Sequence, residues 1–352
     1  MAEPHALPGR MTASGARHVS AAEPPYSVLG GDTMGTTWTV KLLDPEGKIP
    51  SPDLHASIQA VLEHITQQMS TWDASSTISR LNLAEAGWYQ LPQNFFHVLS
   101  QALEISRATA GAYDPTVGRL VNLWGFGPAG SITVEPCDND IAAALATAGW
   151  HRTALKPDHH AVWQPGGLHF DLSSIAKGYG VDQVAKVLDQ YNVEHYLVEV
   201  GGELKARGHN ARNTPWALAI EIPEHARPDG MHLNITATAA STLPISLTDC
   251  AIATSGDYRR YFEKEGRRYA HTLDPATGAP LAHNLVSVTV LHSECMLADA
   301  LATALLSMGP QRGPDYARAQ NIAALFMLSH PDDLALEWTG DFQRLAQARF
   351  YK

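Results

Sequence analysis

Asp171-Leu-Ser-Ser-Ile-Ala-Lys-Gly-Tyr179 is the stretch on which the reading of this chain turns. Gly166 to Asp171 reads as a strand, Ser173-Ser174 turn the chain, and a helical pattern continues through Leu188. Lys177 follows Asp171 by six residues, near the start of that helix. A helix N-terminus favours phosphate through its free N–H groups and its dipole, and a lysine there adds a point charge. A solvated surface lysine is the plainer alternative. Ala298-Asp-Ala-Leu-Ala-Thr303 is the matching stretch downstream. Asp299 and Thr303 are four apart, which on a helix puts carboxylate and hydroxyl on one face, one turn apart. Two hard oxygens so placed suit Mg²⁺, which takes oxygen ligands and usually shares them with a substrate phosphate. The same spacing would also serve a helix cap at Asp299 followed by a Thr303 that bonds back along the helix.

Outward from these stretches, the 352 residues suffice for one large domain or two ordinary ones. A hydrophobic fraction of 45% and a charged fraction of 17% are those of a globular chain with a substantial core. No apolar run reaches the ~18–20 residues a membrane span needs. The formal charge of −11 argues against a broad grip on nucleic acid, leaving room for a local anion site. Cys137, Cys250 and Cys295 form no CxxC pair and have no histidine at zinc-finger spacing. Residues 1–25 mix Pro, Gly, Ala, Ser and His without apolar periodicity and read as a disordered arm, Met1 to Arg10 as a cloning remnant. They hold no hydrophobic signal core, so either the protein is cytoplasmic or a native signal was removed ahead of this numbering.

The periodicities predict an alternating strand pattern within Val28–Leu43 and helices over Leu54–Met69, Phe95–Thr109, Asp138–Ala148 and Met296–Met308. Strands are expected at Val193–Val200, Trp216–Ile222, Ile245–Thr254, Tyr258–Glu263, Leu285–Leu291, Ile322–Leu328 and Leu334–Trp338. Ser70–Ser76 reads as a polar turn, Glu224–Asn234 as a loop and Lys264-Glu-Gly266 as a hairpin turn. With no repeat and no linker that divides the chain, the expected class is α+β: one large body (26–352) of mixed or antiparallel sheet with flanking helices, preceded by the arm.

Three further constellations carry chemistry. Gly111-Ala-Tyr-Asp-Pro-Thr-Val-Gly118 and Leu123-Trp-Gly-Phe-Gly127 put glycines, which allow a ligand close to the backbone, beside aromatics that offer flat walls to a ring system. Gly201-Gly-Glu203 after an apolar strand is a turn of the same kind. Tyr269-Ala-His271-Thr-Leu-Asp-Pro-Ala-Thr-Gly278 contains a histidine suited to general-base work near neutrality, or to a bond with Asp274 or Asp257.

In this order the pieces resemble one family, ApbE, the FAD:protein FMN transferases. The resemblance runs from about Gly31 to about Trp338. It rests on Met34-Gly-Thr, Met69-Ser-Thr-Trp, Ile78-Ser-Arg-Leu-Asn82, Tyr113-Asp-Pro-Thr-Val-Gly118, Asn122-Leu-Trp-Gly-Phe-Gly-Pro128, Asp171-Leu-Ser-Ser-Ile-Ala-Lys-Gly178, Glu199-Val-Gly-Gly-Glu203, Ala253-Thr-Ser-Gly-Asp-Tyr258, His271-Thr-Leu-Asp-Pro-Ala-Thr-Gly278, Ser287-Val-Thr-Val290 and Ala298-Asp-Ala-Leu-Ala-Thr-Ala304. It implies Mg²⁺-dependent transfer of FMN from FAD to a Thr or Ser hydroxyl of an acceptor flavoprotein, with release of AMP. It implies Mg²⁺ on Asp299, Thr303 and a backbone carbonyl near Ser174. It further implies an FAD site lined by Met34, Trp72, Ala112, Tyr113, Asp114, Asp171, Lys177 and Leu273. His271 is the expected base, with Asp257 the competitor. Trp72 stands where the family often has Tyr. Ala302 stands where some members have a second Asp, which leaves one carboxylate fewer for the metal. The acceptor implied is a subunit of a membrane redox complex carrying its Thr or Ser in a short Asp-containing motif. The compartment implied is the periplasm, free or tethered to the membrane, ahead of the cytoplasm. Two rival readings are a flavoprotein that keeps FAD as a redox cofactor and a flavin-delivery module without transfer activity.

Overall fold

The computed structural model describes residues 26–44, 47–132, 134–223, 242–256, 261–264, 267–330 and 333–346. The expected arm at 1–25, the loop at 224–234, the turn residues 265–266 and the candidate base Asp257 lie outside them. The chain enters the fold as a hairpin, β1 (Tyr26–Thr33) and β2 (Thr36–Leu43). Met34 (φ 49°) and Gly35 (φ 70°) take the two positive-φ positions that a tight hairpin turn requires. The alternation expected over Val28–Leu43 therefore folds back on itself at its middle.

α1 (Ser51–Met69) follows, and the spacing of Leu54, Ile58, Leu62, Ile65 and Met69 is why it is a helix with one buried face. Next come α2 (Thr77–Asn82), β3 (Gly87–Gln90), α3 (Gln93–Ala108), α4 (Gly118–Leu123) and α5 (Asp138–Leu145). β4 (Leu155–Lys156) and β5 (Ala161–Gln164) complete a small sheet with β3. Gly166–Asp171 is not a strand: among the described residues one bridge, Val117 to His169, is its ladder contact. Its backbone is tied to the 115–118 loop by Asp171 N–H to Pro115 O and Gly118 N–H to His169 O, and it is held by Asn82, which accepts from Phe170 N–H and donates to Phe170 O. α6 (Ala176–Gln190) then leads into β6 (Tyr196–Val200), β7 (Glu203–Arg207) and β8 (Trp216–Glu221).

The expected strand Ile245–Thr254 is two strands, β9 (Thr242–Leu247) and β10 (Cys250–Gly256), parted at Asp249 (φ 48°). They belong to different sheets, because β9 pairs with β8 while β10 joins the main sheet. β11 (Tyr261–Lys264) and β12 (Arg267–Ala270) pair with each other. The chain closes through β13 (Leu285–His292), α7 (Cys295–Ala319), β14 (Ala323–His330), β15 (Asp333–Thr339) and α8 (Phe342–Leu345).

The main sheet has eight strands in the order β1-β2-β6-β7-β10-β13-β14-β15, antiparallel at each pairing. The α+β class expected from the sequence holds, with the sheet antiparallel rather than mixed. One face packs on α1, α6 and α7, through Trp38, Val40 and Leu42 against Leu54, Ile58 and Leu188, and through Val288 and Val290 against Ala298, Ala302 and Leu305. The other face is covered by β8–β9 and α8, with Trp216, Ile220, Ile245 and Phe342 buried there. Alanines on the buried side of α7 let that helix lie close to β10 and β13, which brings its polar edge to the site.

Candidate active site

A cavity of about 450 Å³ opens between α1, α6, α7, the end of β10 and the loops at 111–117 and 271–275. It gathers every site residue expected from the sequence that the structure describes, from Met34 in the first hairpin to Thr303 on α7.

α7 supplies one wall. It starts at Cys295, so Asp299 is an interior residue of the helix and not its cap. Asp299 is buried, and its Oδ2 accepts the backbone N–H of Gly178 at 3.0 Å. Burial raises its pKa, against the opposing charge of Lys177 and that hydrogen bond. Thr303, one turn on, does not bond back along the helix: its Oγ1 lies 2.8 Å from Ser255 Oγ on β10. Ser307, a further turn on, also lines the cavity, and its Oγ is buried without a hydrogen-bond partner among the described residues. One face of α7 thus carries a carboxylate and two hydroxyls.

α6 supplies the facing wall. Lys177 lies in its first turn, as expected, and Nζ donates to Glu203 Oε1 (2.5 Å) at the start of β7. Glu203 is 2% exposed while the Lys177 side chain keeps 30% of its surface, so only the carboxylate end of this ion pair is withdrawn from water. The helix N-terminus is less open to a phosphate than the sequence implied, because the Gly178 N–H is spent on Asp299. A Cβ at Gly178 would lie 2.3 Å from the Cys295 carbonyl oxygen, so glycine is what allows α6 and α7 to approach this closely.

The loop at 112–114 is braced from within. The Tyr113 hydroxyl is buried and accepts from Ser174 Oγ at 3.1 Å, and burial pushes its pKa far up, so it stays a neutral phenol. Asp114 Oδ1 accepts from the N–H and hydroxyl of Thr116, and Oδ2 from Trp150 N–H. Burial raises its pKa while those bonds oppose the rise. The Asp114 carboxylate therefore shapes the loop, and Asp114 lines the cavity together with Ala112 and Tyr113. Asp171 caps the turn beside it by accepting Ser173 N–H at 2.8 Å. Met34 enters from the first hairpin turn, and Trp72 stands at the mouth with 63% of its surface exposed.

His271 and Leu273 come from a loop after β12 that is tied in several places. Asp274 accepts from Ala276 N–H and Thr277 Oγ1, and Gly278 N–H returns to Asp274 O. Trp124 Nε1 donates to Gly278 O at 2.8 Å, and Phe126 stands edge-on to the His271 ring at 6.3 Å. The Leu123–Gly127 segment, read in the sequence as a flat wall for a ligand, acts here as the clamp on the His271 loop.

Ser255, Glu203 and Ser307 are site residues to which the sequence reading assigned no role. Ser307 had a legible signal, four residues beyond Thr303 on the same helical face; the partnerships of Ser255 and Glu203 depend on strand neighbours. Among the described residues no three His, Cys, Asp or Glu side chains converge as a metal cluster. The donors that α7 offers are one buried carboxylate and hydroxyl oxygens, a set that suits a hard cation whose remaining positions are filled by water and phosphate. A carboxylate held in a dry site also favours a neighbouring cation. Among the described residues no helix is long and apolar enough to cross a membrane.

Comparison with known proteins adds an independent line. The sequence model of the ApbE family matches residues 34–326. A FAD:protein FMN transferase of Vibrio cholerae is 40% identical over 305 residues, covering 86% of this chain and 88% of that protein. One from Haemophilus influenzae is 37% identical over 328 residues, covering 91% and 92%. The solved flavin transferase ApbE from Vibrio cholerae superposes with a TM-score of 0.82 at 37% identity, over 91% of this chain and 100% of that one. The apo flavinyl transferase ApbE of Pseudomonas stutzeri gives 0.81 at 35%, over 92% and 98%.

Proposed function

The chain belongs to the ApbE family, and from that membership we propose that it is a FAD:protein FMN transferase acting on a Thr or Ser hydroxyl of a flavoprotein. The observation that carries the reading is the meeting of Asp299 and Thr303 on α7 with Lys177 on α6 and Trp72 at the mouth of one cavity.

The reaction breaks the bond between the FMN phosphorus and the bridging oxygen of FAD. It forms a bond from that phosphorus to the acceptor oxygen, and AMP departs with the bridging oxygen. The acceptor proton must leave as the new bond forms, and His271 is the candidate to take it, with Asp257 the competitor. Lys177, held by Glu203, presents positive charge to the pyrophosphate, and Trp72 offers a face on which a flavin or adenine ring can stack. Met34, Ala112, Tyr113 and Leu273 wall the cavity and exclude water from the phosphorus. Asp299, Thr303 and a carbonyl near Ser174 would hold Mg²⁺. That ion, when bound, neutralises charge that builds on the pyrophosphate oxygens. Ala302 in place of a second Asp makes its grip weaker than a two-carboxylate site.

The proposed acceptor is a subunit of a membrane redox complex, and the proposed compartment is the periplasm. The test is mass spectrometry of an acceptor peptide of Asp-x-x-Ser/Ala-Thr type after incubation with FAD and Mg²⁺. A mass increase equal to FMN with release of AMP supports transfer. FAD binding without AMP would favour a flavoprotein or delivery module instead. His271→Asn should bind FAD yet transfer ~10²–10⁴-fold more slowly. If it transfers at the wild-type rate while Asp257→Asn does not, the base is Asp257.

A further inference from the structure

α7 is broken by its own sequence. Gly309 leaves the helical region (φ 79°, ψ −175°) and Pro310 follows it. In an unbroken helix the N–H at position 310 would bond to the carbonyl of Leu306, four residues earlier. Proline has no N–H to give. Leu306 is fully buried, where a carbonyl lacking its partner is costly.

His283 supplies a donor. Its Nε2 lies 3.0 Å from Leu306 O. A carbonyl oxygen only accepts, so Nε2 carries a proton and donates it to this bond. Nδ1 is buried and has no hydrogen-bond partner among the described residues, so the bond to Leu306 is the ring's polar attachment there. The glycine makes the space: a Cβ at Gly309 would sit 3.3 Å from His283 Cδ2.

The position of this bond in the fold gives it a consequence. Leu306 stands between Thr303 and Ser307 on the helix segment that also carries Asp299. His283 stands two residues after Leu281, whose N–H bonds to Thr272 O in the His271 loop. A single side chain therefore joins the end of the helix bearing the candidate metal ligands to the segment bearing the candidate base. We infer that His283 is a positioning residue for the transfer site, setting the register of Thr303 against Ser255 and of α7 against the His271 loop. The inference rests on the transferase reading above.

The test compares three variants. His283→Leu keeps bulk and removes the donor. His283→Gln keeps an amide donor at about the reach of Nε2. His283→Asn carries the same amide one methylene short. FAD binding, followed by flavin fluorescence without acceptor across a MgCl₂ titration, reads the site apart from turnover. Melting temperature and steady-state kcat and KM complete the measurement. His283→Leu should raise the MgCl₂ concentration for half-maximal FAD binding by about five- to fiftyfold and lower kcat, with His283→Gln restored to within about threefold of wild type. Wild-type binding and kcat in a folded His283→Leu overturn the inference, as does a His283→Gln as impaired as His283→Leu. If His283→Leu does not fold, the amide pair decides: Gln near wild type with Asn impaired supports the inference, and equal values overturn it. Wild-type protein that binds FAD but never transfers FMN would overturn the transferase reading alone, since the binding titration stands without turnover.

Discussion

Gly178→Ala adds one methyl group at the crossing of α6 and α7, and the structure sets what that must do. The new Cβ would lie 2.3 Å from the Cys295 carbonyl oxygen, 2.7 Å from its carbon and 2.9 Å from Asp299 Cβ. Two of these obstacles are backbone, so a rotamer change cannot relieve them. Restoring an ordinary contact near 3.4 Å means about 1 Å of separation between the helices. Alanine gains up to ~1 kcal/mol of helix propensity over glycine. Overpacking of this kind costs ~1–3 kcal/mol, and more where backbone must move. The net is a loss of about 2 kcal/mol, or ~3 °C in Tm for a body of this size. Function should suffer more than stability. The Gly178 N–H holds the Asp299 carboxylate, and a displacement near 1 Å in a catalytic group can cost ~10²-fold in rate. Gly180→Ala, on the same helix, is the control: its Cβ would meet only the flexible ends of Leu62 and Met34 at 3.3 Å. Calorimetry and a peptide flavinylation assay on both variants make the measurement. A Gly178→Ala protein with wild-type Tm and rate, or a Gly180→Ala protein equally damaged, would refute the close-crossing argument.

Three further predictions follow from the site. Burial raises the Asp299 pKa, so the metal-free folded protein binds that proton more tightly than the unfolded chain, and this contribution to stability is lost as pH rises above 3.8 through the raised value. Asp299→Asn should therefore melt higher than wild type at neutral pH in EDTA while losing transfer; a lower Tm at every pH would contradict this. Trp72→Ala should weaken FAD binding by ~0.5–1.5 kcal/mol with the fold intact, since Trp72 is largely exposed; an unchanged Kd would remove Trp72 from the flavin site. Trp124→Phe keeps an aromatic ring but leaves the buried Gly278 carbonyl without its donor, at a cost of ~1–3 kcal/mol, and should lower kcat more than FAD affinity. Equal loss of both would mean that Trp124 supports the whole cavity and not the His271 loop in particular.

By itself the sequence determined the elements whose signal is local. α1 and α3, the first part of α7 and the strands β6, β8, β13, β14 and β15 follow from apolar spacing that any partner surface would reward. It also supplied the motif residues that the cavity gathers, because a carboxylate and a hydroxyl four apart on a helix share a face wherever that helix docks. Tertiary structure decided what depends on a neighbour distant in the chain. Gly166–Asp171 looks like a strand but is held by one bridge to the 115–118 loop and by Asn82 instead of a continuous ladder. β9 and β10 read as one run, yet Asp249 turns the chain and different sheets claim the two halves. Asp114 carries a motif carboxylate whose oxygens are committed to Thr116 and Trp150, which no spacing discloses. The close crossing at Gly178 and the bond from His283 to the carbonyl stranded by Pro310 belong to the same class. The physical reason is common to all of them: periodicity records which face of an element is buried, whereas a hydrogen bond or a close approach exists only once two elements have been packed together.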